Sequence, residues 1–146
     1  MWPEAVERLA IFLRASGVEG RLEELLPGAE QPPGTHVSVA AFECRGGGLV
    51  VAVLPQGATL DEEKLAAVAG CADARPAPAP EFPFQGVRVF VDRMLLTAAD
   101  VWVQAGSARH VLGLAPAQLV RLTAARTADL QAGSGQRGEV DDRPRG

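Results

Sequence analysis

Two apolar runs, residues 37–43 and 49–54, flank the segment Cys44-Arg45-Gly46-Gly47-Gly48. Both are rich in valine, and glycine, lacking a Cβ, reaches the positive φ that a tight reversal needs, so the pair predicts a β-hairpin. A hairpin of this kind commits the chain to a sheet and leaves the remaining segments to pair with it or cover it. The glycine run is a turn rather than a phosphate cradle, since neither GxxxxGK[ST] nor GxGxxG stands between a strand and a helix.

The flanking sequence supplies both kinds of partner. Across residues 3–15, Val6, Leu9, Ala10 and Leu13 recur at helical spacing, with Pro3 suited to a first turn and Gly17 to an end. Residues 18–26 fit a short helix as well as an edge strand, and PGAEQPPG at 27–34 reads as a loop. Thr59, with Glu62 three residues on, forms a capping box for a helix through Leu65, Ala66, Val68 and Ala69 that ends near Gly70. The alternating prolines of 75–84 remove ladder donors and confine that stretch to a loop or a sheet edge. Strands are expected at 87–91, 101–103 and 111–114, the last two around the turn Gly106-Ser107-Ala108-Arg109, and Pro116 opens a final helix ending near Thr123. The order helix, strands, helix, strands, helix with short links predicts an α+β fold: one compact domain over 1–131 with a mixed, largely antiparallel sheet packed by a few helices. Residues 132–146 hold one valine and no other sizeable apolar side chain, which predicts a disordered tail.

Composition narrows the function. The 146 residues carry a net charge of −4 and a pI near 5.2, which opposes a broadly basic nucleic-acid surface and leaves only a local patch, with Arg109, Arg121 and Arg126 as its candidates. Lys64 is the sole lysine, so chemistry that needs a side-chain amine has one candidate. Cys44 and Cys71 form no CxxC pair and do not complete a zinc site with the two histidines, so they read as free thiols of a reducing compartment. With no basic leader before an apolar run and no stretch of about 18 apolar residues, the expectation is a soluble, cytoplasmic protein with no membrane partner. No Ser-His-Asp order, HExxH helix or close carboxylate pair gives an independent sign of an enzyme.

The segments TLDEEKLAAVAG (59–70) and GVRVFVDRMLLTAADVWVQAGSARHVLGLAPAQLVRLTAARTADL (86–130), with the N-terminal helix, resemble the YbaK-type aminoacyl-tRNA deacylase family. Its members are free-standing relatives of the editing insertion of bacterial prolyl-tRNA synthetase. The shared order is a D-x-x-K-L helix, a strand ending in V-D, a short M-L-L segment, V-W followed by an A-G-S loop, and L-x-P-x-x-L-V-R-L-T before a final strand. The resemblance implies trans-editing hydrolysis of a mischarged ester, such as Ala or Cys on tRNA(Pro), with aminoacyl-tRNA and an aminoacyl-tRNA synthetase as partners and without a cofactor or metal. Such a site must position an attacking water or ribose hydroxyl and stabilise an oxyanion. The positions that help line the family's pocket are here Gly106, through close backbone approach, and Ser107, through its hydroxyl; the plainer alternative is a polar turn between two strands.

The departures bear on the catalytic residues. The family's V-K-[ST]-L-V-F-like strand reads His36-Val37-Ser38-Val39-Ala40-Ala41-Phe42, which puts neutral Ser38 near the lysine position. Ser38 supplies no charge-assisted hydrogen bond, an interaction worth about 1.5–3 kcal/mol. The family's glycine-rich loop is reduced to Pro83-Phe84-Gln85-Gly86 and lacks its histidine. The candidate catalytic residues are therefore Ser38 and His110, with Gly106, Ser107, His36 and Gly86 as substrate-binding candidates. The two histidines have plainer readings: His110 as a capping or partly buried histidine, His36 as an exposed strand-entry residue. Lys64 either replaces the missing cation or lies solvated beside Asp61 or Glu62. Asp92 and Asp100 flank the M-L-L segment, where Asp100 fits a turn. Trp102 alternates with Val101 and Val103 and suits core packing, while Trp2 sits at a mobile terminus. The alternative function is that of a catalytically impaired homologue that binds a tRNA end or a synthetase.

Overall fold

The computed structural model describes residues 2–28 and 30–133, so most of the expected tail lies outside the described residues. Helix α1 (Glu4–Ala15) follows Pro3 and buries Val6, Leu9 and Leu13 of the residues its periodicity singled out, while Ala10 is half-buried. Each such aliphatic side chain contributes about 1.5–3 kcal/mol by burial. Glu4 and Glu7 in the first turn and Arg14 in the last match the helix dipole.

Strand β2 (Thr35–Cys44) and strand β3 (Gly48–Pro55) form the expected hairpin, in register from Val37 opposite Pro55 to Cys44 opposite Gly48. β3 is central, because β5 (Arg88–Asp92) runs parallel along its other side. Its residues from Val50 to Leu54 are all buried and feed two cores in turn. Val51 and Val53 pack with Leu9 and Leu13 of α1, whereas Val50, Ala52 and Leu54 pack with Leu65 and Ala69 of α2 (Glu62–Ala69). Cover on both faces explains why this strand reads as an unbroken apolar run.

The sheet is completed by β1 (Arg21–Glu24), β4 (Ala74–Ala77), β6 (Val101–Gln104), β7 (His110–Leu114) and β8 (Arg126–Ala128). Its order is β1-β7-β6-β2-β3-β5-β8, with β4 on a further part of β2. The β2/β6, β3/β5 and β5/β8 pairs are parallel and the others antiparallel, giving the mixed sheet of an α+β fold. Of the two readings of residues 18–26, the strand prevails, because antiparallel pairing from Arg21–Gly113 to Glu24–His110 covers the open side of β7. β4 takes an edge, as its proline, Pro76, requires. Helix α3 (Pro116–Thr123) has the expected bounds, and a 3-10 turn spans Arg93–Thr97.

Three expectations are corrected. The cap of α2 is Asp61, whose carboxylate accepts from the N–H groups of Glu63 (3.0 Å) and Lys64 (3.2 Å). Thr59 lies in extended chain instead, its carbonyl accepting from Ala132 and its neighbour Leu60 bridged to Gln131. The cysteines are not free: a disulfide joins Cys44 at the end of β2 to Cys71 just after α2, with Cα atoms 5.5 Å apart. Sequence spacing reveals only local pairs such as CxxC, whereas tertiary packing brings these two together across 27 residues. Lys64 pairs with neither Asp61 nor Glu62, for its ammonium donates to Asp129 (2.9 Å) and to the Gln131 carbonyl (2.8 Å). That hydrogen bond from Lys64, above all, holds the Asp129 carboxyl below the usual carboxylate range. Among the described residues no helix is long and apolar enough to cross a membrane.

Candidate functional site

A break in strand pairing builds the site. β2 meets β6 only at Thr35–Val101 and His36–Trp102, and it meets β4 only from Ala41 onward. Between these contacts, residues 38–40 keep β3 as their sole ladder partner. Alternate residues of such a stretch aim their N–H and C=O groups away from the paired side, here toward the gap. A cleft of about 250 Å³ opens there, lined by Val39 of β2, Ala79, Pro80, Glu81, Phe82 and Phe84 from the segment after β4, Gln104 at the end of β6, and Gly106 and Ser107.

The walls are held from behind. Phe82 and Phe84 are buried and pack edge to face with ring centres 5.5 Å apart, and the Phe84 N–H donates to the Glu81 carbonyl at 2.8 Å. A cis peptide bond joins Phe82 to Pro83. Gly106 has φ +83°, and a Cβ built on it would lie 2.7 Å from a methyl carbon of Val6. Its missing side chain thus lets α1 seat against the loop, a packing role that the expected approach to substrate did not include. Glu81 is the one ionisable residue in the lining, with Gln104 and Ser107 as the other polar side chains.

Behind Ser107 stands His110, 2% exposed. Its Nδ1 lies 2.7 Å from Ser107 Oγ, and Oγ also accepts from the Arg109 N–H at 3.0 Å. The His110 Nε2 is buried with no hydrogen-bond partner among the described residues, and Trp2 meets the imidazole edge-on at 5.1 Å between ring centres. A proton on Nε2 would leave a buried N–H unpaired, costing about 1–3 kcal/mol, and orphaned donors are rarer than under-used acceptors. We therefore assign the proton to Nδ1, which donates to Oγ. Ser107 then accepts two N–H bonds, and its own O–H is free to turn into the cleft.

The other candidates lie elsewhere. Side chains alternate along a strand, so Ser38 lies on the sheet face opposite Val39 and turns its exposed hydroxyl away from the cleft. His36 stacks beside Trp102 at 6.2 Å, bonds the Pro32 carbonyl through Nε2 at 2.7 Å, and lines a separate hollow of about 210 Å³ that shares Gln104 with the cleft. Trp102 is buried, as its alternation implied, and donates to the Pro33 carbonyl. Gly86 has positive φ and an exposed place before β5, outside the lining. Asp92, 1% exposed, accepts from the N–H groups of Met94 and Leu130 and from the Gln131 amide. Arg121 is engaged with Gln118 and the Ser16 carbonyl. Among the described residues no group of three or more His, Cys, Asp or Glu side chains is placed to hold a metal. Sequence reasoning gave Glu81, Phe82, Phe84, Gln104 and Val39 no role in the site; the signal for Val39 was strand parity, which puts it with Val37 and Ala41.

No protein-family model matches the chain, and no curated protein is significantly similar to it. Among solved structures it is similar to one described as a candidate trans-editing enzyme for prolyl-tRNA synthetase, with a TM-score of 0.75 and 22% identity over 91% of this chain and 100% of that one. A scaffold protein from work on epitope backbone grafting by computational design matches with a TM-score of 0.75 and 23% identity, over 90% and 99% of the two chains. A hypothetical protein matches with a TM-score of 0.68 and 21% identity, over 84% and 98%. The chain therefore shares the fold of the structure described as a candidate trans-editing enzyme, with eight strands in a mixed sheet and three helices among the described residues, as its resemblance to the YbaK-type family implied.

Proposed function

We propose that the protein is a trans-editing aminoacyl-tRNA deacylase whose cleft at Gly106 and Ser107 receives a small aminoacyl group such as alanyl or cysteinyl. The observation that carries this reading is an open cleft at the loop that the family resemblance singled out, on a fold shared with a candidate trans-editing enzyme. In the reaction a water oxygen bonds to the acyl carbon, the bond to the ribose oxygen breaks, and that oxygen leaves with a proton. The Ser107 O–H donates to the carbonyl oxygen as negative charge develops on it. His110 is a positioning residue, because it is buried behind Ser107 and fixes which of its lone pairs are taken. Val39, Pro80 and Phe82 supply an apolar wall suited to a small side chain. Aminoacyl-tRNA is the partner, with an aminoacyl-tRNA synthetase as the donor of its substrate.

The test is incubation with a panel of mischarged tRNAs that includes alanyl- and cysteinyl-tRNA(Pro), with release of free amino acid as the readout. Hydrolysis well above the buffer rate is expected for at least one small amino acid, and no excess across the panel would overturn the enzymatic reading. A second reading, a module that binds the acylated end without turnover, is favoured by one observation: the only lysine is committed to Asp129 and Gln131. That module would retain tRNA in a binding assay and leave its ester intact.

A further inference from the structure

We propose that Glu81 holds the free α-ammonium of the aminoacyl group, which makes the cleft selective for an unblocked amine. This inference rests on the proposed function and adds the chemistry by which the acyl group is recognised. Glu81 is the only charged side chain in the lining, set among Val39, Ala79, Pro80, Phe82 and Phe84. A single carboxylate at an otherwise uncharged cleft attracts a cation and repels an anion. An acyl ester of an amino acid carries one cation in a fixed relation to its carbonyl, the α-ammonium. Ser107, the donor for that carbonyl, lines the same cleft as Glu81.

Glu81 is also well held for such a task. The buried, mutually packed Phe82 and Phe84 and the Phe84 N–H bond to the Glu81 carbonyl fix its backbone, so only its own side-chain torsions remain to be ordered on binding. No ion pair engages its carboxylate among the described residues. The same charge disfavours aspartyl and glutamyl groups, whose side chains would bring a second carboxylate into the cleft.

The experiment crosses one change in the protein with one in the ligand. The probes are 3′-deoxyadenosine carrying alanine through a non-hydrolysable 3′-amide, and its propionyl counterpart without the amine. Both are titrated calorimetrically against wild type and Glu81→Gln below the α-amino range of about 7.7–8.0. Wild type should bind the alanyl probe about fivefold more tightly than the propionyl one, and Glu81→Gln should abolish that difference. Glu81 is exposed, so an unchanged melting temperature certifies the fold of the variant. The inference is overturned if the preference is absent in wild type, survives in Glu81→Gln, or if neither probe binds. A parallel hydrolysis assay on alanyl-tRNA and N-acetyl-alanyl-tRNA separates the two claims. Equal rates on both esters would sink amine recognition and leave the deacylase standing. Amine-selective binding without any turnover would do the reverse.

Discussion

Two buried polar groups, Asp92 and His110, lie on different strands with nearly the same exposure, and they are furnished in opposite ways. Asp92 has every demand met: one oxygen accepts from Leu130, the other from Met94 and the Gln131 amide, and together these bonds fasten the chain after β8 to the end of β5. His110 has one nitrogen matched to Ser107 and the other without a hydrogen-bond partner among the described residues. A buried polar group that is fully satisfied is a fastening. One that is half satisfied, and whose partner faces an open cleft, sets the hydrogen-bonding state of that partner at a cost to stability.

This contrast can be broken by substitution. Asp92→Ala leaves several donors unpaired and should cost about 3–5 kcal/mol in chemical denaturation; a loss under 1 kcal/mol would show that Asp92 is not a fastening. Ser107→Ala should keep the fold and lower kcat on the susceptible mischarged tRNA by about 10²–10³, the effect of losing one oxyanion donor. His110→Leu should lower kcat roughly tenfold with little change in KM, and His110→Asn, whose amide places an N–H near the site of Nδ1, should recover most of it. Equal losses in the two variants would reduce His110 to a space-filling role.

The smallest effect is expected at the Lys64–Asp129 pair, whose side chains are partly exposed. Asp129→Asn should cost less than about 1 kcal/mol at neutral pH. Because the folded carboxyl titrates below its unfolded value of about 3.9, the stabilisation is complete above that value and fades as pH falls through the folded one. Stability curves of variant and wild type should therefore converge in acid, and a gap that widened there would reverse the assigned sign.

The helices and most strands were legible because their periodicity is long and regular. Val6, Leu9 and Leu13 trace one helix face, and the run Val50 to Leu54 is apolar throughout because β3 has cover on both sides. What escaped depends on neighbours distant in sequence. Alternation along β2 sets Val39 on the face opposite Ser38, but that a cleft opens beside Val39 depends on where β6 and β4 stop pairing with β2. Glu81 sits in a proline-rich stretch with no periodic signal, so nothing in its local sequence distinguishes it from a surface loop residue. His110 was noted for its distance from Ser107, but its buried, one-sided bonding follows from Trp2 and the strand packed beside it.

The margins of the sheet have a consequence for behaviour at high concentration. β1, β4 and β8, which among the described residues each pair with a neighbour on one side only, are four, four and three residues long, and they carry Arg21, Glu23, Glu24, Arg75, Pro76 and Arg126. Short rims studded with charge and proline offer little template for another molecule to dock strand against strand. Residues 38–40 of the long strand β2, which among the described residues keep β3 as their sole ladder partner, are flanked by the β6 and β4 pairings, so an extended chain from a second protein would find only a few residues of open backbone there.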